Sequence, residues 1–318
     1  MDTALTREEL EAAHCWEARD HVPGRPEMTE FRRRIRLHQA RWRESKGHPI
    51  GSQPILPREG KPSHPVGSRL PLDYAQETGA NFLTTGALDA VRARTSVVEP
   101  HQTLDRQRLW ADLLWSPTLA FNLFGDLASN RDLASRAVHT LWPDAPGTVC
   151  DVRFAHSPGR LDPAYLNSLR AFDAAFVLDL GNGERGIIGI DTTYYDWAKP
   201  EIPRPDNLWR YLEVSERSGA FVQGATDVVK GRSGLCLMWL EHLLLLSMLQ
   251  HESGGWSWGR YVVVHAAGNS DYAEACARYG SLLADSSTFD SGTLEELLDS
   301  DVLPATAALR ERYVTRQA

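Results

Sequence analysis

Asp173 and Asp191 lie on either side of a glycine-rich turn in the segment AFDAAFVLDLGNGERGIIGIDTT, and Asp179 lies near the turn. If the three residues Gly181–Gly183 form the turn of a β-hairpin, Asp179 lies opposite Arg185, which is a favourable cross-strand ion pair. The same register places Asp173 opposite Asp191. Two carboxylates that face each other across strands repel, and a divalent cation such as Mg²⁺ offsets that repulsion by binding their oxygens. A two-residue turn would instead put the aspartates on opposite faces, so the pattern leaves both arrangements open.

The glycines of this segment also match the dinucleotide-binding pattern G-x-G-x-x-G, with Gly186 as the third glycine and Glu201 near the place of the ribose-binding acid. That pattern needs a helix that begins at the third glycine, so that the helix N-terminus meets the pyrophosphate. The following residues, IIGIDTTYY, are mostly β-branched or aromatic and predict a strand instead. We therefore expect a hairpin, and nucleotide binding is the weakest of three functional hypotheses.

The composition is that of an ordinary globular protein, since 42% of the 318 residues are hydrophobic and 24% are charged. The first residues, MDTALTREELEAAH, lack the charged-then-apolar pattern of a signal peptide. The most apolar segment, Leu235–Leu249, is too short for a membrane span and contains Glu241 and His242, so it predicts a buried helix. The four cysteines show no metal-ligand or disulfide spacing. We expect a cytoplasmic protein that does not contact a membrane.

Positive charge is concentrated between Met28 and Leu70, although the formal net charge of the chain is −8. That segment contains ten Lys or Arg residues and three Asp or Glu residues. Such asymmetry is typical of contact with a polyanion, and it is equally typical of a solvated helix face followed by a loop. The candidates for polyanion contacts in this segment are Arg32, Arg33, Arg34, Arg36, Arg41 and Arg43.

The order of the predicted elements favours an α/β domain in which helices cover both faces of a mixed sheet. Thr29–Lys46 has helical periodicity, and the Pro-, Gly- and Ser-rich stretch that follows it predicts an ordered but irregular arm. Further helices are predicted at 104–124 with a break at Pro117, 130–141, 208–218, 234–250, 272–283, 294–298 and 305–316, and strands at 148–154, on both sides of the hairpin turn and at 260–265. We expect two parts, an N-terminal arm of residues 1–103 and a domain of residues 104–318.

The sequence resembles a bacterial family of restriction-endonuclease-like proteins in the PD-(D/E)XK nuclease superfamily. The signature of that superfamily is an Asp on one strand and Asp-x-Lys or Glu-x-Lys on the next. The similar segments are FRRRIRLHQARWRESKGHPIG, LAFNLFGDLA, RFAHSPGR, AFDAAFVL, GIIGIDTTYYDW, RYLEVSERSGAF and MWLEHLLLLSML. The resemblance implies a restriction-endonuclease-like core, with a mixed central β-sheet flanked by helices. It also implies DNA cleavage with Mg²⁺ or Mn²⁺, which polarises the phosphodiester and lowers the pKa of an attacking water.

Carried onto this sequence, the resemblance implies that Asp173 and Asp191 bind the metal ion. Two positions depart from the pattern. Thr193 stands where the lysine is expected, and Ala155 stands where the family has an additional acid. Loss of one charge-stabilising group costs on the order of 100- to 1,000-fold in rate.

Three explanations for these departures remain open. Lys199 or Arg153 supplies the charge from a neighbouring position, or the chain is an engineered inactive variant, or it is a natural pseudo-nuclease that binds DNA without cutting it. His156, Arg160 and Arg210 are further candidates for DNA contacts. The first functional hypothesis is a metal-dependent endonuclease in defence against foreign DNA, weakened or inactive in this form. The second is a non-catalytic DNA-binding or scaffold protein with the same fold. A homodimer and a partner protein from a defence system are both compatible with the sequence.

Overall fold

The computed structural model describes residues 5–16, 29–57, 59–60, 62–231 and 233–315. Outside these ranges lie Met28, Arg58 and Lys61 of the basic segment and Arg316 at the end of the last predicted helix. Within these ranges, no helix combines the length and the apolar composition that a membrane span requires.

A five-stranded mixed sheet forms the centre of the molecule. Its strands, in the same order in space as in sequence, are β3 (Thr148–His156), β4 (Phe172–Gly181), β5 (Glu184–Thr193), β6 (Trp258–His265) and β7 (Phe289–Thr293). Strand β4 is antiparallel to both of its neighbours, β3 and β5, whereas β6 runs parallel to β5 and β7 runs parallel to β6. A mixed sheet with helices packed against it confirms the predicted fold class.

The hairpin of β4 and β5 has the register that the three-residue turn predicts. Asp179 pairs with Arg185, and the pairs keep this register up to Ala174 and Ile190. The strands extend closer to the turn than expected, and a bulge at Leu180 absorbs the difference. The arrangement with both aspartates on one face is therefore the one that forms.

Two glycines of β5, Gly186 and Gly189, have structural roles in the strand. Gly186 lies inside β5, which continues to Thr193, so no helix begins at the third glycine and the nucleotide-binding hypothesis is wrong. Gly189 has a packing role instead, because a Cβ added there would lie 2.7 Å from ring atoms of Phe172. The missing side chain at this position lets that ring lie against the strand, two residues from Asp191.

One face of the sheet is covered by helices from the N-terminal half, which are α2 (Glu30–Ser45), α3 (Leu72–Thr78), α4 (Thr85–Ser96), α5 (Arg106–Ala111), α6 (Ser116–Phe124) and α7 (Arg131–Leu141). The first helix, α1 (Arg7–Ala12), belongs to a small separate core in which Leu10 lies with Leu37 and Ala40 of α2. The arm after α2 adds a small sheet of β1 (Gly51–Gln53) and β2 (His64–Val66). Pro117 lies in the first turn of α6, so the predicted break separates α5 from α6. The core on this face includes Phe124 and Phe176, whose rings meet edge to face, and it also includes Trp42 of α2. The boundary between residues 103 and 104 stays a prediction.

The other face of the sheet is covered by α8 (Leu208–Ser218), α9 (Ala225–Lys230), α10 (Cys236–Leu249) and α11 (Ser270–Gly280), and the chain ends on the first face with α12 (Leu294–Asp299) and α13 (Thr306–Tyr313). The core on this side joins Ala175 and Ile187 to Leu243 of α10, which is the predicted buried helix. Asp173 and Asp191 lie two and four residues from these strand positions. Since side chains alternate along a strand, both aspartates belong to the face that α10 covers.

Candidate active site

The two aspartates lie side by side where β4 begins and β5 ends. The backbone N–H of Asp173 donates a hydrogen bond to Asp191 Oδ1 at 3.3 Å. Both residues line a cavity of about 290 Å³, to which α10 contributes as well. The geometric prediction that positions 173 and 191 converge is therefore confirmed.

Neutral groups hold the two carboxyl groups in place. Asp173 Oδ2 accepts a hydrogen bond from the backbone N–H of Thr192 at 3.0 Å, and the Thr192 hydroxyl oxygen lies 2.9 Å from the same atom. Asp191 Oδ2 accepts a hydrogen bond from the hydroxyl of Tyr261 at 3.0 Å. These contacts orient the carboxyl groups without adding positive charge.

Burial and mutual repulsion disfavour the charged form of both aspartates. Burial, followed by the charge of Asp191, raises the pKa of Asp173 to about 8. Burial, followed by the charge of Glu241, raises the pKa of Asp191 well above its usual value. Carboxyl groups in such a setting bind a proton or a cation, because an isolated negative charge is unfavourable there.

A third acid, Glu241 of α10, lines the same cavity, but it was not among the site residues predicted from the sequence. Glu241 is 7% exposed, and no described residue hydrogen-bonds its Oε2. Burial raises the pKa of Glu241 to about 7, with Arg170 opposing this change and Asp173 adding to it. Glu241 is the one acid in a leucine-rich helix. A lone acid in an apolar helix was the sequence signal that could have identified it, because buried carboxylates are rare without a partner.

Arg170, which precedes β4, brings positive charge to the cavity. Its guanidinium nitrogens lie 3.5 Å from Glu241 Oε1 and 3.7 Å from Glu201 Oε2. Burial alone would lower the pKa of Arg170, but these two acids outweigh burial and raise the pKa, so the side chain stays charged. Arg170, Glu201 and Glu241 also line a second cavity of about 500 Å³. The two cavities therefore have a charged wall in common.

The positions that depart from the superfamily pattern lie in different surroundings. Thr193 is buried and lines the aspartate cavity, with its hydroxyl 3.5 Å from the carbonyl oxygen of Val264. Lys199 lines the same cavity and is exposed. The register of β3 and β4 places Ala155 opposite Asp173, but Ala155 has a φ of +48° instead of an extended backbone and does not line the cavity.

The two cations considered as substitutes for the missing lysine differ in position. Lys199 lines the cavity of the aspartates. Arg153 does not line that cavity, and its guanidinium pairs with Asp151 at 2.7 Å. Of these two candidates, Lys199 is therefore the one whose position allows it to act at the site.

Half of the α2 arginines are engaged inside the protein, which corrects their predicted role as DNA contacts. The guanidinium of Arg32 lies 4.2 Å from the ring centre of Tyr195, and the residue is 7% exposed. Arg36 and Arg43 are buried and donate hydrogen bonds to backbone carbonyl oxygens at 2.8 to 3.0 Å. Arg36 and Arg43 would have to break these hydrogen bonds to reach a phosphate, and Arg32 would have to leave the ring of Tyr195.

The other three arginines of α2 are more accessible. Arg34 pairs with Glu30 at 2.8 Å, and Arg41 pairs with Glu9 at 3.5 Å. The guanidinium carbon of Arg33 lies 5.5 Å from the ring centre of Trp16. Ion pairs at a protein surface contribute little free energy, so a phosphate group can compete for these side chains.

The three DNA-contact candidates outside α2 are also held by the protein. Arg160 pairs with Glu99 at 2.5 Å, and Arg210 donates a hydrogen bond to the carbonyl oxygen of Tyr165 at 2.7 Å. Burial, followed by the charges of neighbouring arginines, lowers the pKa of His156 to about 3, so the ring is neutral at pH 7. Arg160 and Arg210 would have to break these internal bonds to reach a phosphate, and His156 would contact a phosphate as a neutral ring.

The donor set in the cavity fits a hard divalent cation. Asp173 and Asp191 line one cavity together with Glu241, and Oε2 of Glu241 has no hydrogen-bond partner among the described residues. Among the residues that the structure describes, no group of three or more His, Cys, Asp or Glu side chains is arranged to hold a metal ion. Small divalent cations are commonly held by one or two carboxylates, with water and phosphate oxygens completing the shell. The pair of aspartates meets that requirement.

Comparison with known proteins agrees with this geometry. A family model described as the PD-(D/E)XK nuclease superfamily matches residues 26–315. The chain therefore belongs to the PD-(D/E)XK nuclease superfamily, and the resemblance seen in the sequence is confirmed. Nucleases of this superfamily generally use divalent metal ions. A search of curated proteins and a search of solved structures each found no match.

Proposed function

We propose that this protein is a metal-dependent DNA endonuclease of the restriction type that uses Mg²⁺ or Mn²⁺. The supporting observation is the convergence of Asp173 and Asp191 on one cavity of a nuclease-superfamily fold. Two adjacent carboxyl groups whose charged forms are disfavoured are suited to a divalent cation. A cation bound there would polarise the phosphodiester and lower the pKa of the attacking water.

The protein's own groups have separate tasks in this proposal. Asp173 and Asp191 hold the cation. Thr192 and Tyr261 bond to their carboxyl groups and fix the direction in which the carboxylate oxygens point. Lys199 lies in the cavity lining and attracts the DNA backbone, because an exposed ammonium group binds phosphate as a point charge.

We propose further that the enzyme is slow in this form. Thr193 is neutral, and it occupies the position where the superfamily pattern has a lysine. Removal of one charge-stabilising donor costs on the order of 100- to 1,000-fold in rate. The neutral side chain at this position also favours a second candidate function, a DNA-binding protein that does not cut.

Nicking of supercoiled plasmid DNA tests the proposal. We expect slow, chelator-sensitive nicking by the wild type in Mg²⁺ or Mn²⁺ and none by Asp191→Asn or Asp173→Asn. Asp179→Asn is a matched control, because Asp179 lies on the same strand as Asp173 but is exposed at the other end of the hairpin. Nicking that persists in both site variants would contradict the assignment. Salt-sensitive retention of DNA that chelator does not change, without nicking, would support the second candidate.

We propose that Arg33, Arg34 and Arg41 contribute DNA contacts, because their guanidinium groups lie nearest the surface of α2. Replacement of one phosphate-contacting cation should weaken DNA binding equally for all sequences and reduce the slope of log affinity against log salt concentration by about one.

Defence against foreign DNA is the biological role we infer from the superfamily. A reducing cytoplasm fits the four cysteines, each of which has a free thiol.

A further inference from the structure

Arg170 and Glu241 form a charged pair in the wall that the two cavities have in common. Their closest atoms, Nη1 and Oε1, are 3.5 Å apart. Charge-assisted hydrogen bonds between such groups are usually about 2.7 to 2.9 Å long. The pair is therefore held loosely, although Glu241 is 7% exposed and lies where a tight partner would stabilise it most.

The second oxygen of Glu241 has no hydrogen-bond partner among the described residues. A buried carboxylate oxygen without a partner is costly, and such exceptions in a native structure call for an explanation. Acids outnumber cations in the lining, because Asp173, Asp191, Glu201 and Glu241 face only Arg170 and the exposed Lys199. Arg170 is also drawn towards Glu201, so it does not satisfy Glu241 by itself.

We propose that Arg170 and Glu241 exchange partners when the enzyme binds its cation and DNA. Arg170 then contacts a DNA phosphate, and Glu241 becomes a third carboxylate for the cation beside Asp173 and Asp191. The inference rests on the proposed function and adds two residues to it. Arg170 supplies the positive charge that is missing at Thr193, through a planar group suited to two simultaneous bonds with a phosphate.

The second cavity gives the DNA strand a route past Arg170. Its volume is about 500 Å³, and its lining adds the exposed Arg204 to the wall that it has in common with the first cavity. A second guanidinium group at this position suits the phosphate backbone of a strand that approaches Arg170.

Titration of the metal-free protein with Mn²⁺ alone tests the Glu241 half of the exchange. We expect Glu241→Gln to weaken Mn²⁺ binding by about 10-fold or more, as loss of a supporting or coordinating group does in metal sites. Glu201→Gln is the matched control, because Glu201 lies at a similar distance from the same arginine. It should leave Mn²⁺ binding unchanged. Arg170→Ala should bind Mn²⁺ at least as tightly as the wild type, since it removes a competing cation.

Retention of a short DNA duplex in EDTA tests the Arg170 half. We expect Arg170→Ala to weaken retention several-fold and Arg170→Lys to restore part of it. Glu241→Gln should not weaken retention. The two variants thus have opposite signatures, one in Mn²⁺ binding and the other in DNA binding. A role in folding alone would not produce this pattern, and circular dichroism of each variant confirms that it is folded. If Arg170→Ala does not fold, weakened DNA retention by Arg170→Lys replaces it as the test of Arg170.

The outcomes separate this inference from the function on which it rests. Equal Mn²⁺ affinity in Glu241→Gln and Glu201→Gln overturns the role of Glu241, and unchanged DNA retention in folded Arg170 variants overturns the role of Arg170. Neither result affects the aspartates. Unchanged Mn²⁺ binding in Asp191→Asn would instead overturn the proposed function itself.

Discussion

Helix α2 and the aspartate cavity both bury charged side chains, but they satisfy them differently. In α2, all three guanidinium nitrogens of Arg43 donate hydrogen bonds, two to backbone carbonyl oxygens and one to the carboxylate of Glu44. In the cavity, burial, followed by the charges of neighbouring acids, raises the pKa values of Asp173, Asp191 and Glu241, and one oxygen of Glu241 has no hydrogen-bond partner among the described residues. A buried charge with complete internal bonding stabilises a structure. Buried charges that remain in conflict mark a place where a ligand completes the set.

The comparison also explains why the density of positive charge in the sequence was a poor guide to DNA contacts. A run of arginines has the same appearance whether the side chains point outward to phosphate or inward to carbonyl oxygens. Here Arg32, Arg36 and Arg43 point inward, whereas Arg41 has a side chain that is 62% exposed. Burial decides between the two roles, and burial depends on how the arm packs against the rest of the fold.

The largest expected effect comes from completing the cavity in the way the superfamily pattern suggests. The double variant Ala155→Glu with Thr193→Lys should increase plasmid nicking on the order of 100- to 1,000-fold, because position 193 lines the cavity and a lysine there adds a charge-stabilising cation. Ala155 already has a φ of +48°, and Glu at this position has the same Cβ as Ala, so the backbone cost should not rise. A folded double variant that nicks no faster than the wild type would count against the assignment of these two positions.

The α2 half of the comparison predicts a loss of stability without a loss of catalysis. Arg43→Ala should lower the free energy of unfolding by about 2 to 4 kcal/mol, because it leaves buried carbonyl oxygens without their charged donor. Arg41→Ala, two residues away on the same helix, should change it by less than about 0.5 kcal/mol. Urea denaturation measures both. Equal effects of the two substitutions would mean that the internal bonds of Arg43 are not what stabilises this region.

The acids of the cavity predict a particular dependence of stability on pH. Asp173 and Glu241 have folded-state pKa values of about 8 and about 7, whereas carboxyl groups in unfolded chains titrate near pH 4. Between about pH 4 and about pH 8 the folded protein therefore holds more protons than the unfolded chain. The contribution of these groups to stability is complete at low pH and is lost as the pH rises through this window.

Thermal melts of the metal-free protein at about pH 5 and about pH 8 measure this effect. Asp191→Asn should reduce the difference between the two melts, since it removes one of the repelling charges. Mn²⁺ at about 100 times its dissociation constant should add about 2.7 kcal/mol at the higher pH. A cavity contribution that grows as the pH rises in the metal-free protein would contradict the account of the acids.

The smallest predicted effect concerns Ala155 and the left-handed backbone that it adopts. Ala155→Gly should stabilise the protein by about 0.5 to 1 kcal/mol, because a left-handed conformation is unfavourable for residues with a Cβ and not for glycine. Ala93→Gly in α4 is a useful control with the opposite sign, since glycine inside a helix costs about 1 kcal/mol. If Ala155→Gly were destabilising, local packing of the Ala155 side chain would outweigh the backbone effect.

The hairpin shows what local sequence could predict. Two runs of apolar and β-branched residues around Gly181–Gly183 predicted both strands, and counting outward from the turn placed Asp173 opposite Asp191. Counting works there because the period of a strand is two and the turn is short. The same local signals predicted α2 and the apolar helix α10. Helices α3 and α4, which follow the irregular stretch after α2, were not predicted, because neither segment has a strong apolar stripe.

The rest of the site depended on contacts between distant parts of the chain. Glu241 and Asp191 are separated by 50 positions in the numbering, and no periodic pattern relates a helix residue to the strand end that it faces. Arg170 looked like an ordinary loop arginine, because its importance comes from the acids packed around it. Charge conflict in the cavity exists only after the helix has packed on the sheet, so sequence alone could suggest the aspartates but not their neighbours.

Equilibrium binding of Mn²⁺ to the wild type, Asp191→Asn and Asp179→Asn tests the central claim most directly. The convergence of Asp173 and Asp191 predicts that the wild type and Asp179→Asn bind the ion alike, whereas binding in Asp191→Asn is weaker by about 10-fold or more. The same affinity in all three proteins, or no binding to the wild type, would contradict the claim that these two aspartates form a metal site.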